Sequence, residues 1–127
     1  MTQVLLEHVN MTVTDADRTA AMLSGLFGWR IRWSGPSKAG GYSVHVGDDE
    51  RYVALYNPKG EIAPAGDSLL QTGAVNHLGV LVEDLHAAER RVLDAGLKTH
   101  SHQTYDPGSR FYFHDHDGVE YEVVSYA

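Results

Sequence analysis

The sequence predicts an α+β fold: two βαβββ modules forming a curled mixed sheet, with the helices on its convex side. Three observations predict it: the chain repeats itself, its apolar period alternates between strand and helix within each repeat, and a histidine heads both copies. Placing His8 over His77, 69 residues on, lays Val13 on Val82 and Asp15 on Asp84. Gly28 and Gly96 are 68 apart, so one residue has been lost between the copies. At that offset "VGDDERYVALY" lies over "HDHDGVEYEVV", where Asp49 meets Asp117 and Ala54 meets Glu122. A repeat that registers at both ends defines two equivalent modules.

Each element follows from local chemistry. In the first strand Val9, Met11 and Val13 share one face and His8, Asn10 and Thr12 the other, because successive side chains alternate. Leu23, Leu26 and Phe27 then take helical spacing, with Asp15 as N-cap and Gly28 where the helix stops. "GYSVHV" and "RYVALY" read as a hairpin. The Gly- and Pro-rich stretch "NPKGEIAPAGDSLLQTGA" is a linker. The second strand copy sets Leu78, Val80 and Val82 against His77, Gly79 and Leu81. Leu85, Ala88, Val92 and Leu93 follow on a helix capped by Asp84 and ended at Gly96. "HSH" puts His100 and His102 on one face of a short edge strand. "RFYFH" and "VEYEVVS" close the module, with Val119, Tyr121 and Val123 opposing Glu120, Glu122 and Val124. The chain therefore reads as a single domain: module 1 over about 1–57, linker about 58–74, module 2 about 75–127.

Composition narrows the function. A chain of 127 residues with net charge −7 is one acidic domain, a poor match for nucleic acid. It has no apolar run of membrane-spanning length and no basic-then-apolar leader. Cysteine is absent, so thiolate chemistry and disulfides are excluded, and a cytoplasmic location is expected.

The apolar faces must cover the helices, so His8, His77 and Glu122 all fall on the opposite face and converge if the sheet curls. Two imidazoles and a carboxylate with open positions suit a divalent ion. A lone strand histidine is more often a hydrogen-bonded structural residue; the joint pattern on repeated strands favours a metal site. Glu120 is the rival carboxylate on the same face. Asn10, Tyr52 and Tyr56 share that face as pocket-lining candidates. "HDHDG" reads as a solvated hairpin turn rather than a second metal site.

"LEHVNMTVTD", "LFGW", "VNHLGVLVEDL" and "FYFHDHDGVEYEVV" together resemble the vicinal oxygen chelate superfamily, which includes glyoxalase I, fosfomycin-resistance transferases, extradiol dioxygenases and bleomycin-resistance proteins. The resemblance covers nearly the whole chain. It implies a divalent ion (Fe2+, Mn2+, Zn2+ or Ni2+) held by His8, His77 and Glu122, with Glu122 part of the catalytic centre. It implies Tyr105 as a catalytic acid/base, and substrate contacts from Arg110 beside Asn10, Tyr52 and Tyr56. It also implies a homodimer, His8 of one subunit joining His77 and Glu122 of the other. One departure matters: the fourth ligand of glyoxalase I falls on Ala54, which cannot coordinate a metal. The implied function is a metal-dependent enzyme acting on a small molecule that chelates the ion through vicinal oxygens, of dioxygenase, lyase or transferase type. The alternative is a metal-free drug-binding protein of the bleomycin-resistance type, in which Trp29, Trp33 and the tyrosines stack on the ligand.

Overall fold

The computed structural model describes residues 3–127. The chain divides between Ala63 and Pro64 into two compact units, and each is a βαβββ module, as the repeat predicts.

Unit 1 runs β1 (His8–Thr12), α1 (Ala16–Phe27), β2 (Arg30–Pro36), a single 3-10 turn at Lys38–Gly40, β3 (Tyr42–Gly47) and β4 (Tyr52–Asn57). Its mixed sheet has the order β1-β4-β3-β2, with β1 parallel to β4 and the other pairs antiparallel. Asp15 caps α1, its carboxylate accepting the Arg18 N–H at 3.0 Å. Gly28 ends the helix at φ 72°, a left-handed conformation that side chains other than glycine resist. The helix buries Ala16, Thr19, Ala20, Leu23 and Leu26. Met11, Val13, Val44, Val46, Val53 and Leu55 are buried with them. These sheet residues alternate with His8, Asn10, Thr12, His45, Tyr52 and Tyr56, which therefore hold the face away from the helix.

Unit 2 repeats the plan: β5 (Leu78–Leu81), α2 (Leu85–Asp94), β6 (Thr99–Tyr105), β7 (Gly108–His114) and β8 (Glu120–Ser125), in the order β5-β8-β7-β6. Asp84 caps α2 by accepting the Ala87 N–H at 3.0 Å. Ala88 and Val92 of the helix are buried, as are Val80, Phe111, Phe113, Tyr121 and Val123 of the sheet. Each large core side chain contributes about 1.5–3 kcal/mol by leaving water. The repeat persists in the pairing register. Asn10 pairs with Ala54 in the first sheet, and the equivalent pair in the second is Gly79 with Glu122. It persists in the stitching too. The side chain of Asn57 bonds to the Val13 carbonyl at 2.6 Å and the Ala16 N–H at 2.8 Å. Ser125, 68 residues on, donates to the Glu83 carbonyl at 2.9 Å.

Two local expectations are corrected. His100 and His102 do not share a face. The register slips between His100 and Gln103, and Ser101 sits at φ 56°, so a bulge inserts one residue and reverses the alternation. His102 turns to Glu89 of α2 at 2.6 Å, whereas His100 pairs with Tyr112 on the opposite face. The "HDHDG" turn is not simply solvated either. Asp115 is buried, its Oδ1 accepting the backbone N–H groups of Asp117 and Val119 and its Oδ2 the Tyr121 hydroxyl. Among the described residues no helix is long and apolar enough to cross a membrane.

Candidate metal centre

In unit 2 the open face of the sheet brings Glu122 and His77 together. Glu122 stands on β8, and His77 lies one residue before β5, the strand parallel to it. His77 Nε2 is 3.1 Å from Glu122 Oε1. The other ring nitrogen, Nδ1, is 2.8 Å from Asn76 Oδ1. With its proton on Nδ1, the imidazole turns its Nε2 lone pair toward the carboxylate, the orientation a metal-bound histidine needs. Donors on a common ion at 2.0–2.1 Å stand about 3–3.4 Å apart, so this pair fits two adjacent positions of one coordination sphere.

Arg110 of β7 completes the cluster. Its Nη1 donates to Glu122 Oε2 at 2.6 Å, and its side chain is only 11% exposed, too covered to be an ordinary surface charge. That hydrogen bond pushes the guanidinium pKa further up, so the group stays charged. Its Nε is buried without a hydrogen-bond partner, as is Arg32 Nη1 in unit 1. Such orphaned donors are uncommon and expensive unless a ligand supplies the acceptor. Arg110 Cζ also lies 4.4 Å from the centre of the Tyr105 ring, a cation–π contact that holds a half-exposed tyrosine beside the cluster. Tyr112 packs edge-on to His77 at 5.9 Å. Burial, followed by the Glu122 charge, raises the Tyr112 pKa and keeps its phenol protonated.

In unit 1 the corresponding face is aromatic. His8 stacks on Tyr52 at 4.7 Å, and Tyr52 on His45 at 4.6 Å. His45 in turn meets Trp33 at 5.0 Å. The Arg32 guanidinium lies 4.5 Å from the Tyr52 ring centre. His8 Nδ1 engages Glu7 Oε1 at 2.9 Å, which leaves Nε2 as its outward donor. Desolvation, and then the neighbouring His8, lowers the His45 pKa and favours its neutral form. Asn10 and Tyr56 line a shallow pocket with Thr12, Lys38 and Ala39. The Tyr56 hydroxyl is committed to the Lys38 carbonyl at 2.6 Å. Gly41 permits that approach, since a Cβ there would meet the Tyr56 hydroxyl at 2.6 Å. Ala54, the counterpart of Glu122, is buried and offers no donor.

The sequence-predicted residues thus fall into two sets: Glu122, His77, Arg110 and Tyr105 converge in unit 2, while His8 and Tyr52 stack in unit 1 and Asn10 and Tyr56 share its pocket. Reading the sequence missed His45, Arg32 and Tyr112, although strand alternation places His45 beside Tyr52 and Tyr112 beside Glu122. It also set aside His100 and His114, which the structure gathers at Glu120.

Comparison with known proteins agrees with this fold. The sequence matches the Glyoxalase/Bleomycin resistance protein/Dioxygenase superfamily over residues 5–123, and the chain belongs to that superfamily. A glyoxylase/bleomycin resistance protein/dioxygenase domain from Frankia sp. EAN1pec superposes with a TM-score of 0.79 at 20% identity, covering 98% of each chain. A glyoxalase family protein from Enterococcus faecalis gives a TM-score of 0.75 at 15% identity, over 94% of this chain and 96% of that one. The fosfomycin resistance protein FosX from Listeria monocytogenes, complexed with Mn(II) and sulfate ion, gives 0.69 at 19% identity, over 98% of this chain and 93% of that one. A comparison with curated proteins returned no significant match.

Proposed function

We propose that this protein is a metal-dependent enzyme acting on a small, anionic, oxygen-rich molecule that binds a divalent ion through vicinal oxygens. The observation that carries the reading is the placement of His77 Nε2 3.1 Å from Glu122 Oε1, with Arg110 on the second carboxylate oxygen. His77 and Glu122 supply two ligands, and His8 of a second copy of the chain supplies the third in a homodimer. Two imidazoles and one carboxylate suit Fe(II), Mn(II), Zn(II) or Ni(II), and leave positions for two substrate oxygens. The Mn(II) and sulfate held by FosX, a protein of the same fold, favour the same pairing of cation and oxyanion.

When bound, the ion supplies Lewis-acid stabilisation of negative charge developing on substrate oxygen. The chain's own residues do the rest. Arg110 has an orphan Nε–H to offer an anionic substituent while its Nη1 steadies Glu122. In this reading Tyr105, half exposed and held against Arg110, holds or passes a proton at its hydroxyl. With His8 the second copy also brings its pocket at Asn10 and Tyr56 and its aromatic row at Tyr52 as binding surface. A chain without cysteine suits a reducing compartment such as the cytoplasm.

The test is elemental analysis of protein purified without chelator, for the parent and for His77→Ala, Glu122→Gln and His8→Ala. It is followed by thermal-shift screening against catechols, 2-oxoaldehyde–thiol adducts, fosfomycin and bleomycin. Metal-dependent stabilisation by a bidentate oxygen ligand, lost in Glu122→Gln, is the expected outcome. Tight bleomycin binding by metal-free protein would replace this reading with drug sequestration on the aromatic row.

A further inference from the structure

We infer that His100, His114 and Glu120 form a second divalent-cation site of the Zn(II) type, separate from the His77–Glu122 pair. The three residues come from three adjacent strands, β6, β7 and β8, and share the face away from α2. His114 pairs directly with Glu120 across the sheet, and His100 pairs with Tyr112, one alternation from His114. Sheet geometry therefore fixes their spacing. One donor atom from each lies within 4.8 Å of the others. His100 Nε2 is 3.3 Å from His114 Nδ1 and 3.6 Å from Glu120 Oε2, and His114 Nε2 is 3.1 Å from the same oxygen. Donors bound at 2.0–2.1 Å around a tetrahedral ion are separated by about 3.3–3.5 Å; the two short His114 distances go to different ring nitrogens, so His114 turns its ring to give one nitrogen and closes a set that now spans 4.8 Å.

Two further features favour a cation here. His100 Nδ1 engages Ser101 Oγ at 2.8 Å, which leaves Nε2 facing the cluster, and the bulge that follows turns His102 to the other face, away from it. Glu120 also has no competing guanidinium. Its ion-pair partners among the described residues are the two histidines, whereas Glu122 is engaged by Arg110. The side chains are 40%, 50% and 22% exposed, open enough for an ion to enter and keep a water ligand. Glu120 and Glu122 are two residues apart on one strand, about 7 Å, so the two sites are neighbours rather than one bridged pair. A set of two imidazoles and a carboxylate from one module selects a borderline ion such as Zn(II) over Mg(II) or Ca(II).

Calorimetric titration of chelator-stripped full-length protein with Zn(II) tests the assignment, with Co(II) absorption as a second readout. In His100→Ala, His114→Ala and Glu120→Gln, one equivalent of ion bound by the parent should vanish or weaken at least tenfold. Glu122→Gln should retain that equivalent. Because His100 and His114 are well exposed, the apo variants should melt close to the parent, which separates loss of ligand from loss of fold. An equivalent lost in the His100, His114 and Glu120 variants and kept in Glu122→Gln supports this site even if the His77–Glu122 reading fails. A parent that binds no ion, or histidine variants that bind as many ions as the parent, would overturn it. So would a single equivalent lost only in Glu122→Gln, which would leave the other reading standing.

Discussion

Arg110 and His77 divide one carboxylate between them: Nη1 donates to Glu122 Oε2 at 2.6 Å, while His77 Nε2 faces Oε1 at 3.1 Å. A guanidinium this close draws charge from the carboxylate and repels an incoming cation. The opposing effect is orientation, since outer-shell partners typically contribute 10–100-fold to metal affinity. Here Asn76 already steadies His77, and the short β5–β8 pairing steadies Glu122, so repulsion is the larger effect. Arg110→Gln should therefore bind a divalent ion about tenfold more tightly and lose affinity for anionic ligands. Calorimetry with Mn(II) measures the first and sulfate competition the second. Weaker Mn(II) binding would show that Arg110 acts mainly as an orienting residue.

The same ion pair predicts a stability change. Glu122→Gln leaves a guanidinium that is only 11% exposed without a charged partner. Removing one partner leaves the other charge unpaired, so the variant should unfold at a lower urea concentration than the parent. Urea unfolding of metal-free protein measures the shift. An unchanged midpoint would mean that solvent reaches the pair freely.

Glu89 gives a pH-dependent prediction. Burial pushes its carboxyl pKa up, but hydrogen bonds from Thr99 and His102 outweigh that and hold it below the ordinary 4.5. A carboxylate with a lower pKa folded than unfolded adds stability above the unfolded value and loses it as pH falls through the folded one. The gap between the parent and Glu89→Gln should be about 1 kcal/mol at pH 7 and close below pH ~4.5. Denaturant midpoints for both proteins across pH 7 to 3 decide it. A gap that widens toward acid pH contradicts the assignment.

Tyr121 is fully buried, and its hydroxyl donates to Asp115 Oδ2 at 2.9 Å. Burial, then the Asp115 charge, raises its pKa, so it remains a donor at any working pH. Tyr121→Phe should cost about 1–2 kcal/mol, because Asp115 loses a partner inside the protein. Thermal unfolding of the variant, read beside Asp115→Asn, checks the coupling. Additive losses would argue against a shared hydrogen bond.

Periodicity and repetition made the modules legible. Asp15 and Asp84 announced both helices, and alternation put His77, Glu122, Tyr52 and Asn10 on the open faces. What stayed hidden depended on side-chain reach or on a local departure from regular geometry. Arg110 pairs in register with Val124, so its bond to Glu122 runs diagonally, where a long side chain and not strand parity decides the partner. Nothing in "THSHQTY" signals that Ser101 takes a left-handed conformation that glycine adopts far more readily. Without that one angle, His100 and His102 read as neighbours.

The bulge at Ser101 makes β6 a strand with two phases. Thr99 and His100 keep the phase of the first half, and the residues from His102 onward follow the other. A one-residue deletion at this point would restore a single phase. The downstream histidine would keep its place at Glu89, because the deletion removes only the extra residue; closing the bulge with that residue retained would instead swing the histidine to the open face and invert every later side chain in step. Variation in this short stretch can therefore move imidazoles between the helix side and the open side while both cores keep their composition. A register slip usually scrambles a sheet; on an edge strand it becomes a means of changing which metal ligands the surface displays.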